Sequence, residues 1–218
     1  MKINQKLSIC LIAGLVMILA VGLIRPVGAA TATATQRMSF RSIGAQDGFI
    51  WESSEDNNKG YKLNSDHPTL NVGDDNIDRQ YRAIFSFDTS QLPDTAVITW
   101  ARIRVQLRKM VGWTGYSFVV WEVKSPYFGT SAGLMPHDFQ NAASAKLTGQ
   151  GINVNQYDTK LFGVDQFQYI NLQGTTQIRM RYDLEDNDNM SGDYNIYYSG
   201  DAVSLATRPL LVVEFNIP

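Results

Sequence analysis

The sequence predicts an all-β protein, a two-sheet antiparallel jelly-roll sandwich with one short helix. The main observation is an alternation of apolar and polar residues with a period of two, which is typical of half-buried strands. It is clearest over residues 101–108, where Ala101, Ile103 and Val105 alternate with Arg102, Arg104 and Gln106. A second observation is that clusters rich in Asn, Asp and Gly separate such segments and predict turns. The 218-residue chain is 44% hydrophobic and 18% charged, which argues against disorder and a coiled coil.

The pattern predicts nine strands and one helix in order along the chain. The strands are expected at residues 48–52, 69–72, 80–87, 101–108, 116–123, 167–172, 177–182, 194–198 and 210–215. A short helix is expected at residues 136–144, because Pro136 and Asp138 suit its first turn and Phe139 shares a face with Ala142 and Ala143. Eight residues are predicted to be buried between the sheets: Phe85, Phe87, Ala101, Ile103, Val105, Leu107, Ile178 and Met180.

The N-terminus has the order of a secretory signal peptide, predicted at residues 1–30. Lys2 and Lys6 precede an apolar run at residues 9–24, and small residues follow up to Ala30. An uncleaved anchor is the alternative, but sixteen residues fall short of the roughly 20 that a membrane span needs. We expect a flexible spacer at residues 31–38 and a single domain at 39–218. This predicts a secreted protein, extracellular or at the cell surface, without membrane contact after cleavage.

The expected mature chain is acidic and has no cysteine. Removing the first thirty residues takes away Cys10, Lys2, Lys6 and Arg25, and leaves 16 basic and 21 acidic residues. The core or metal ions must then hold the domain without disulfides. With only two histidines, zinc sites rich in Cys and His are excluded, and the acidic balance argues against a nucleic-acid partner.

Several short motifs together resemble a known domain family. They include residues 47–50 (DGFI), 58–60 (NKG), 70–75 (LNVGDD), 79–82 (RQYR), 85–88 (FSFD) and 92–99 (LPDTAVIT), followed by 186–188 (DND), 192–194 (GDY), 198–201 (YSGD) and 208–209 (RP). These motifs are similar to DNRLRE-type domains, which overlap carbohydrate-binding module family 96, and they span residues 39–215. The resemblance implies a jelly-roll sandwich of exported bacterial proteins, usually an accessory module beside catalytic or surface domains.

Two groups of oxygen-bearing side chains are candidates for a structural Ca²⁺ ion, a cation that takes six to eight oxygen ligands. One is the acidic loop containing Asp186, Asp188 and Asp193. The other pairs Asp47 with Asn58, at a place where jelly rolls similar to this one often hold an ion. The alternative is that acids and Asn favour solvated turns for their own hydrogen bonding.

Arginines at alternate positions predict a basic face on the sandwich. Arg102 and Arg104 share one side of a strand, Arg179 and Arg181 share one side of another, and Arg82 is a further candidate. Guanidinium groups suit carboxylates and sulfates, so a uronate-rich or sulfated polysaccharide is the expected ligand. Alternatively, these arginines pair with the protein's own acids.

Aromatic residues in loops are candidate stacking platforms for sugar rings. Trp113 lies in a glycine-flanked loop, and Tyr116 follows it closely. The alternative for any one ring is packing in the core. No nucleophile elbow, P-loop or metalloprotease motif is present in the sequence, so we expect no enzymatic activity.

The sequence as a whole favours a non-catalytic carbohydrate-binding domain, directed at acidic polysaccharides and containing structural calcium. The alternative is a structural or adhesive surface protein that self-associates.

Overall fold

The strands form an antiparallel sandwich of jelly-roll type, as the alternation predicts. A computed structural model describes residues 34–154 and 157–218, and the predicted signal peptide lies outside them. The strands are β1 Gln36–Arg41, β2 Gly48–Glu52, β3 Gly60–Asn64, β4 Thr69–Asp74, β5 Gln80–Asp88, β6 Val97–Val111, β7 Val119–Lys124, β8 Ala145–Lys146, β9 Gly151–Val154, β10 Tyr157–Leu161, β11 Thr175–Tyr182, β12 Asp193–Tyr198 and β13 Leu210–Asn216.

The long strand β6 belongs to both layers of the sandwich. Its first part pairs with β13 and β10, which in turn pair with β1 and β9, and these five strands are called the front layer. The last part of β6 pairs with β12, which continues through β4, β5, β11, β7 and β8 as the back layer. Strands β2 and β3 add to the back layer through β5.

The main core lies between the two layers. Seven of the eight residues predicted to be buried are at most 1% exposed, and Leu107 is half-buried at the rim of the same core. A second apolar cluster lies on the outer side of the back layer. There Ile50 and Ile84 pack against Phe128, Leu134 and Phe139, which come from the segment at residues 125–144. This segment therefore covers part of the back layer's outer face.

Some local predictions differ from the structure. Residues 167–172, predicted as a strand, overlap a 3₁₀ helix at Val164–Tyr169, because the Gln166 side chain accepts the Gly163 N–H and closes the turn. The predicted helix at 136–144 is a single 3₁₀ turn, Pro136–Phe139. Strand β1 begins at Gln36, so residues 36–38 belong to the sheet and not to a spacer. Within the described ranges, no helix is long and apolar enough to cross a membrane.

Candidate functional site

Arg102 and Arg104 lie on the outer face of the front layer, as predicted. Their neighbours Ala101, Ile103 and Val105 are buried in the core, so the period of two turns both arginines outward. Trp100 has the same parity and lies two residues before Arg102 on the same face. The local sequence of β6 therefore determines this part of the face by itself.

Strand β1 adds two arginines that the alternation pattern does not predict. Phe40 is buried in the core, so Arg37 and Arg41 point outward like Arg102 and Arg104. Arg41 pairs with Leu210, and Leu210 pairs with Arg104, so the two arginines flank Leu210 in one row across the layer. Two strand spacings put their backbones about 9.6 Å apart. The sequence alone indicates this pair of outward arginines only weakly, because Ser39 occupies the outward position between Arg37 and Arg41.

Aromatic rings lie beneath these guanidinium groups. The guanidinium carbons of Arg37 and Arg102 are 5.5 and 5.3 Å from the centre of the Trp100 ring. That of Arg104 is 4.6 Å from the centre of the Tyr157 ring. Such stacking orients a guanidinium group but uses none of its N–H donors, so apart from the buried Nε of Arg102 the donors stay available for an anion. The six residues Arg37, Arg41, Arg102, Arg104, Trp100 and Tyr157 are called the basic face.

The positive charges of the basic face are poorly compensated by the protein itself. Glu214 approaches Arg37, with a nitrogen–oxygen distance of 3.5 Å. Among residues 34–154 and 157–218, Arg41, Arg102 and Arg104 form no ion pair with a carboxylate. Burial lowers the pKa of Arg41, and the charges of Arg104 and Arg208 lower it further. The basic face therefore has an excess of positive charge.

Arg179 and Arg181 do not belong to this face, and the expectation of one shared basic face is wrong. Ile178 and Met180 point into the core from the back layer, so the arginines between and after them point away from the front layer. The two pairs of arginines thus lie on opposite outer faces of the sandwich. Both pairs obey the same alternation, and the strand order alone separates them.

The back-layer arginines have structural partners instead. Arg179 is 3% exposed and donates to Glu122 Oε2 at 2.7 Å and to the carbonyl oxygens of Asp138, Phe139 and Asn141. Arg181 also donates to Glu122. Burial alone would raise the pKa of Glu122, but the charges of Arg179 and Arg181 outweigh it, so that the pKa is lowered.

Arg82 is likewise buried and is not a candidate for ligand binding. It donates to Gln80, to the Phe139 carbonyl oxygen at 2.7 Å and to Glu185 at 2.9 Å, and its guanidinium group lies over the Phe139 ring. Arg82 and Arg179 therefore fasten the segment at residues 125–144 to the back layer. For these arginines the alternative of internal pairing is the one that the contacts support.

The predicted aromatic platforms lie elsewhere in the fold. Trp113 is 66% exposed, and its backbone N–H donates to Asp193 at the end of the sandwich where β6 finishes. Tyr116 ends the 3₁₀ turn Thr114–Tyr116. Nine residue steps along β6 lead from Arg102 to Val111, a length of about 30 Å at the usual strand rise, so the backbone of this loop is distant from Arg102.

Asp47 and Asn58 are not brought together. They lie beyond opposite ends of β2, whose five residues span about 16 Å. The two carboxylate oxygens of Asp47 accept the N–H groups of Ser86 and Gly200, each at 2.8 Å. The Asn58 N–H donates to Glu52. The structure therefore contradicts a shared calcium site at these two residues, and burial raises the pKa of Asp47 to about 7.

The acidic loop divides into two parts. Asp193 accepts hydrogen bonds from the Trp113 N–H and from the side chains of Asn187 and Asn189, which occupy both of its oxygens. Asp186 and Asp188 instead lie close to other acids: burial raises the pKa of Asp186 to about 6, and the charges of Asp56, Asp188 and Asp78 contribute. In the described part of the chain, no three or more His, Cys, Asp or Glu side chains are grouped closely enough to hold a metal ion.

Comparison with known proteins assigns the chain to no family. No protein-family model matches the chain, and no curated protein matches it significantly. The resemblance to DNRLRE-type domains therefore stays a prediction from the motifs.

Proposed function

We propose that the protein is a secreted, non-catalytic carbohydrate-binding domain whose basic face binds acidic polysaccharide. The observation that carries the proposal is the group of outward arginines without a carboxylate partner among the described residues: Arg102 and Arg104, which stack on aromatic rings, and Arg41 beside them. The ligand is expected to supply the missing carboxylates. Trp100 and Tyr157 offer apolar surface beside the donors, as sugar rings require.

The spacing of the donors suits an extended anionic chain. Arg102 and Arg104 are two residues apart on one strand, so their backbones are about 6.7 Å apart. Arg41 extends the array across Leu210 to the edge strand β1. A polymer with a carboxylate on each sugar can meet several of these groups at once, whereas a single small anion meets only one or two.

Multivalency is needed because each contact is weak. Exposed ion pairs contribute about 0–1 kcal/mol each, and salt screens them. Binding should therefore grow with chain length and fall as ionic strength rises. Neutral glucans lack the carboxylates and should bind much less.

The experiment is retention of the purified protein on an alginate gel during a salt gradient. Arg102→Ala/Arg104→Ala is expected to elute at clearly lower salt than the wild-type protein. Lys59→Ala/Lys146→Ala is the matched control, because it removes the same charge from exposed positions of the back layer and its loops and should elute like the wild type. Equal elution of all three proteins, or equal retention on a neutral glucan gel, would refute the proposal.

Calcium binding is proposed separately, at the acids near Asp186 and Asp188, and it requires their loops to move closer around the ion, because no three of the described side chains are grouped closely enough to hold one in the structure. Asp56 and Asp78 come from other loops and repel Asp186 electrostatically, and Asp78 and Asp188 also lie close to Glu55. A divalent cation would relieve this repulsion, and carboxylate oxygens are the ligands that Ca²⁺ prefers. Asp193 and Asp47 are not included, because each of their oxygens accepts a separate N–H donor within the protein, whereas the two oxygens of Asp78 share the single Met190 N–H.

Self-association is the second candidate function, and exposed apolar side chains favour it. Ile77, Trp113, Phe118, Leu184 and Met190 are all at least 45% exposed. Hydrogen bonds join their loops: the Leu184 N–H donates to Ser117, the Met190 N–H to Asp78 and the Trp113 N–H to Asp193. Sedimentation of the wild type and of Trp113→Ser/Phe118→Ser tests this candidate, which requires an oligomer that the double substitution dissociates.

A further inference from the structure

A small pocket lies at the β2–β3 hairpin, at the edge of the back layer. Strand β3 pairs with β2 alone among the described strands, so no further described strand covers its outer edge. The pocket has a volume of about 260 Å³, and four residues line it: Trp51, Tyr61, Lys62 and Arg79. All four are accessible to solvent, because Tyr61 and Lys62 are exposed and Trp51 and Arg79 are half-buried. The pocket is therefore open to a ligand.

Strand pairing places the aromatic rings beside a cation. Lys62 lies opposite Trp51 across the hairpin, and its ammonium nitrogen is 5.5 Å from the centre of the Trp51 ring. The register shifts beside this pair, because the next pair is Glu52 with Gly60. Tyr61 is the extra residue of this bulge, and a bulge can redirect a side chain. This explains how Tyr61, which is 67% exposed, lines the same pocket as its neighbour Lys62.

Arg79 is held in place before any ligand arrives. Asp75 Oδ2 accepts hydrogen bonds from Arg79 Nε at 2.9 Å and from Nη2 at 2.6 Å. Asp75 Oδ1 accepts the backbone N–H groups of Ile77 and Arg79, which fixes the turn that carries the arginine. The other terminal nitrogen, Nη1, donates to no described residue, and 26% of the Arg79 side chain is exposed. The guanidinium group is thus oriented and keeps a donor for a ligand.

The pocket has an excess of one positive charge. In the described part of the chain, Lys62 forms no ion pair with a carboxylate, and Asp75 compensates Arg79 alone. The Trp51 and Tyr61 rings add apolar surface next to the two cations. The volume is below the range of about 300–1,000 Å³ that is usual for drug-sized ligands, so the pocket suits one ring and not a longer chain.

We propose that this pocket binds a single ring compound with one carboxylate, of the chemical class of the uronic acids. The carboxylate would accept hydrogen bonds from Arg79 Nη1 and from the Lys62 ammonium. The ring would pack against Tyr61 and the exposed part of Trp51. The site goes beyond the proposed function, because it takes one charged unit and needs no polymer. Since it shares no residue with the basic face, the two proposals can fail separately.

The test titrates the purified protein with small probes at matched ionic strength and follows the indole N–H signals by NMR. The probes are glucuronate, methyl glucoside, glucosamine and acetate. Trp51 reports on the pocket and Trp100 on the basic face, and the variants Trp51→Phe and Trp100→Phe assign the two signals. Glucuronate at millimolar concentration should shift the Trp51 signal, and each other probe should bind there much more weakly. No shift with glucuronate, or equal affinity for acetate or methyl glucoside, overturns the proposal.

Two variants locate the binding. Lys62→Gln removes the ammonium group and Tyr61→Ser removes the ring, both at exposed positions. Lys62→Gln should weaken glucuronate binding about fivefold, as expected for the loss of one favourable exposed ion pair. Tyr61→Ser should also weaken it, because the sugar ring loses its apolar contact.

Lys59→Gln is the matched control, because it removes the same charge from an exposed position of the same hairpin that does not line the pocket. It should bind glucuronate like the wild type, and so should Arg102→Ala/Arg104→Ala. Unchanged binding in both pocket variants, or an equal loss in Lys59→Gln, refutes the site. If a variant fails to fold, the Trp51 signal of the wild-type protein with the four probes still decides the outcome.

Discussion

Arg104 and Arg179 have the same side chain and the same outward parity on their strands, yet their environments differ. Arg104 is half-exposed and stacks on Tyr157, whereas Arg179 is covered by the segment at residues 125–144 and bonded to Glu122. Removal of one partner of a buried ion pair strongly lowers the stability of the protein, because the remaining charge stays buried without compensation. The same substitution at the two positions should therefore have very different effects.

Arg179→Ala is predicted to lower the free energy of unfolding by about 3–5 kcal/mol, because Glu122 keeps only its bond from Arg181 and three carbonyl oxygens lose a donor. Arg104→Ala, the control, should change it by no more than about 0.5 kcal/mol, as for most exposed positions. Urea unfolding measures both values. Similar losses in the two variants would contradict the structural role assigned to Arg179.

The raised pKa of Asp47 predicts that the stability of the protein depends on pH. Its pKa in the folded protein is about 7, raised from 3.8 by burial, so the folded state binds its proton more tightly than the unfolded state. The stabilisation from this group is complete below pH 3.8 and is lost as the pH rises through 7. The whole shift corresponds to roughly 4 kcal/mol.

The measurement is urea unfolding from pH 5 to pH 8. The free energy of unfolding of the wild type should fall more steeply over this range than that of Asp47→Asn, whatever the absolute stability of the variant. Asp66→Asn, at an exposed position, is the control and should keep the wild-type slope. Parallel curves for wild type and Asp47→Asn would count against a raised pKa.

At the scale of elements, the loops that carry the acids come from separate parts of the sequence. Asp56 follows β2, Asp78 precedes β5, and Asp186 and Asp188 precede β12. The turns hold Asp56, Asp78 and Asp188 in left-handed backbone conformations, with φ between 53° and 58°. Asp and Asn tolerate this conformation better than most residues, so the turns themselves favour acids there.

Millimolar calcium should raise the melting temperature of the wild type, because a ligand that binds only the folded state stabilises it by mass action. Asp186→Asn/Asp188→Asn should abolish this rise and should be more stable than the wild type after chelation, since it relieves the repulsion. Asp47→Asn should keep the calcium response, because its oxygens are used within the protein. A wild-type melting temperature that chelation leaves unchanged would exclude the site.

For the whole molecule, β6 makes the two layers depend on each other. Its first part pairs with β13 and β10, and its last part pairs with β12, so neither layer is complete without it. The core between the layers is also shared. We therefore expect both layers to unfold in one cooperative transition.

Variants that retain only Trp100 or only Trp121 report on the front and back layers separately, because Trp100 lies on β6 at the basic face and Trp121 on β7. Their fluorescence midpoints in urea should each coincide with the midpoint from circular dichroism of the same variant. Different midpoints for the two probes within one variant would show that the layers unfold independently.

The sequence by itself determined the fold class, most of the core and the outward direction of the β6 arginines, because a strand's period of two depends only on neighbouring residues. Ile103 and Ile178 are buried as the alternation predicts. Edge and short strands such as β1 and β8 were missed, because the hydrogen bonds that form them come from distant partners.

The tertiary structure alone decided which charged side chains meet. Alternation cannot tell which layer a strand joins, so it predicts one shared face for Arg179 and Arg102, which the strand order sets on opposite faces. Asp47 and Asn58 were paired although β2 separates them, whereas Arg41 and Arg104, 63 positions apart in sequence, came together through β13. Cross-strand neighbours depend on long-range pairing, and that pairing is fixed by the core as a whole and not by any local segment.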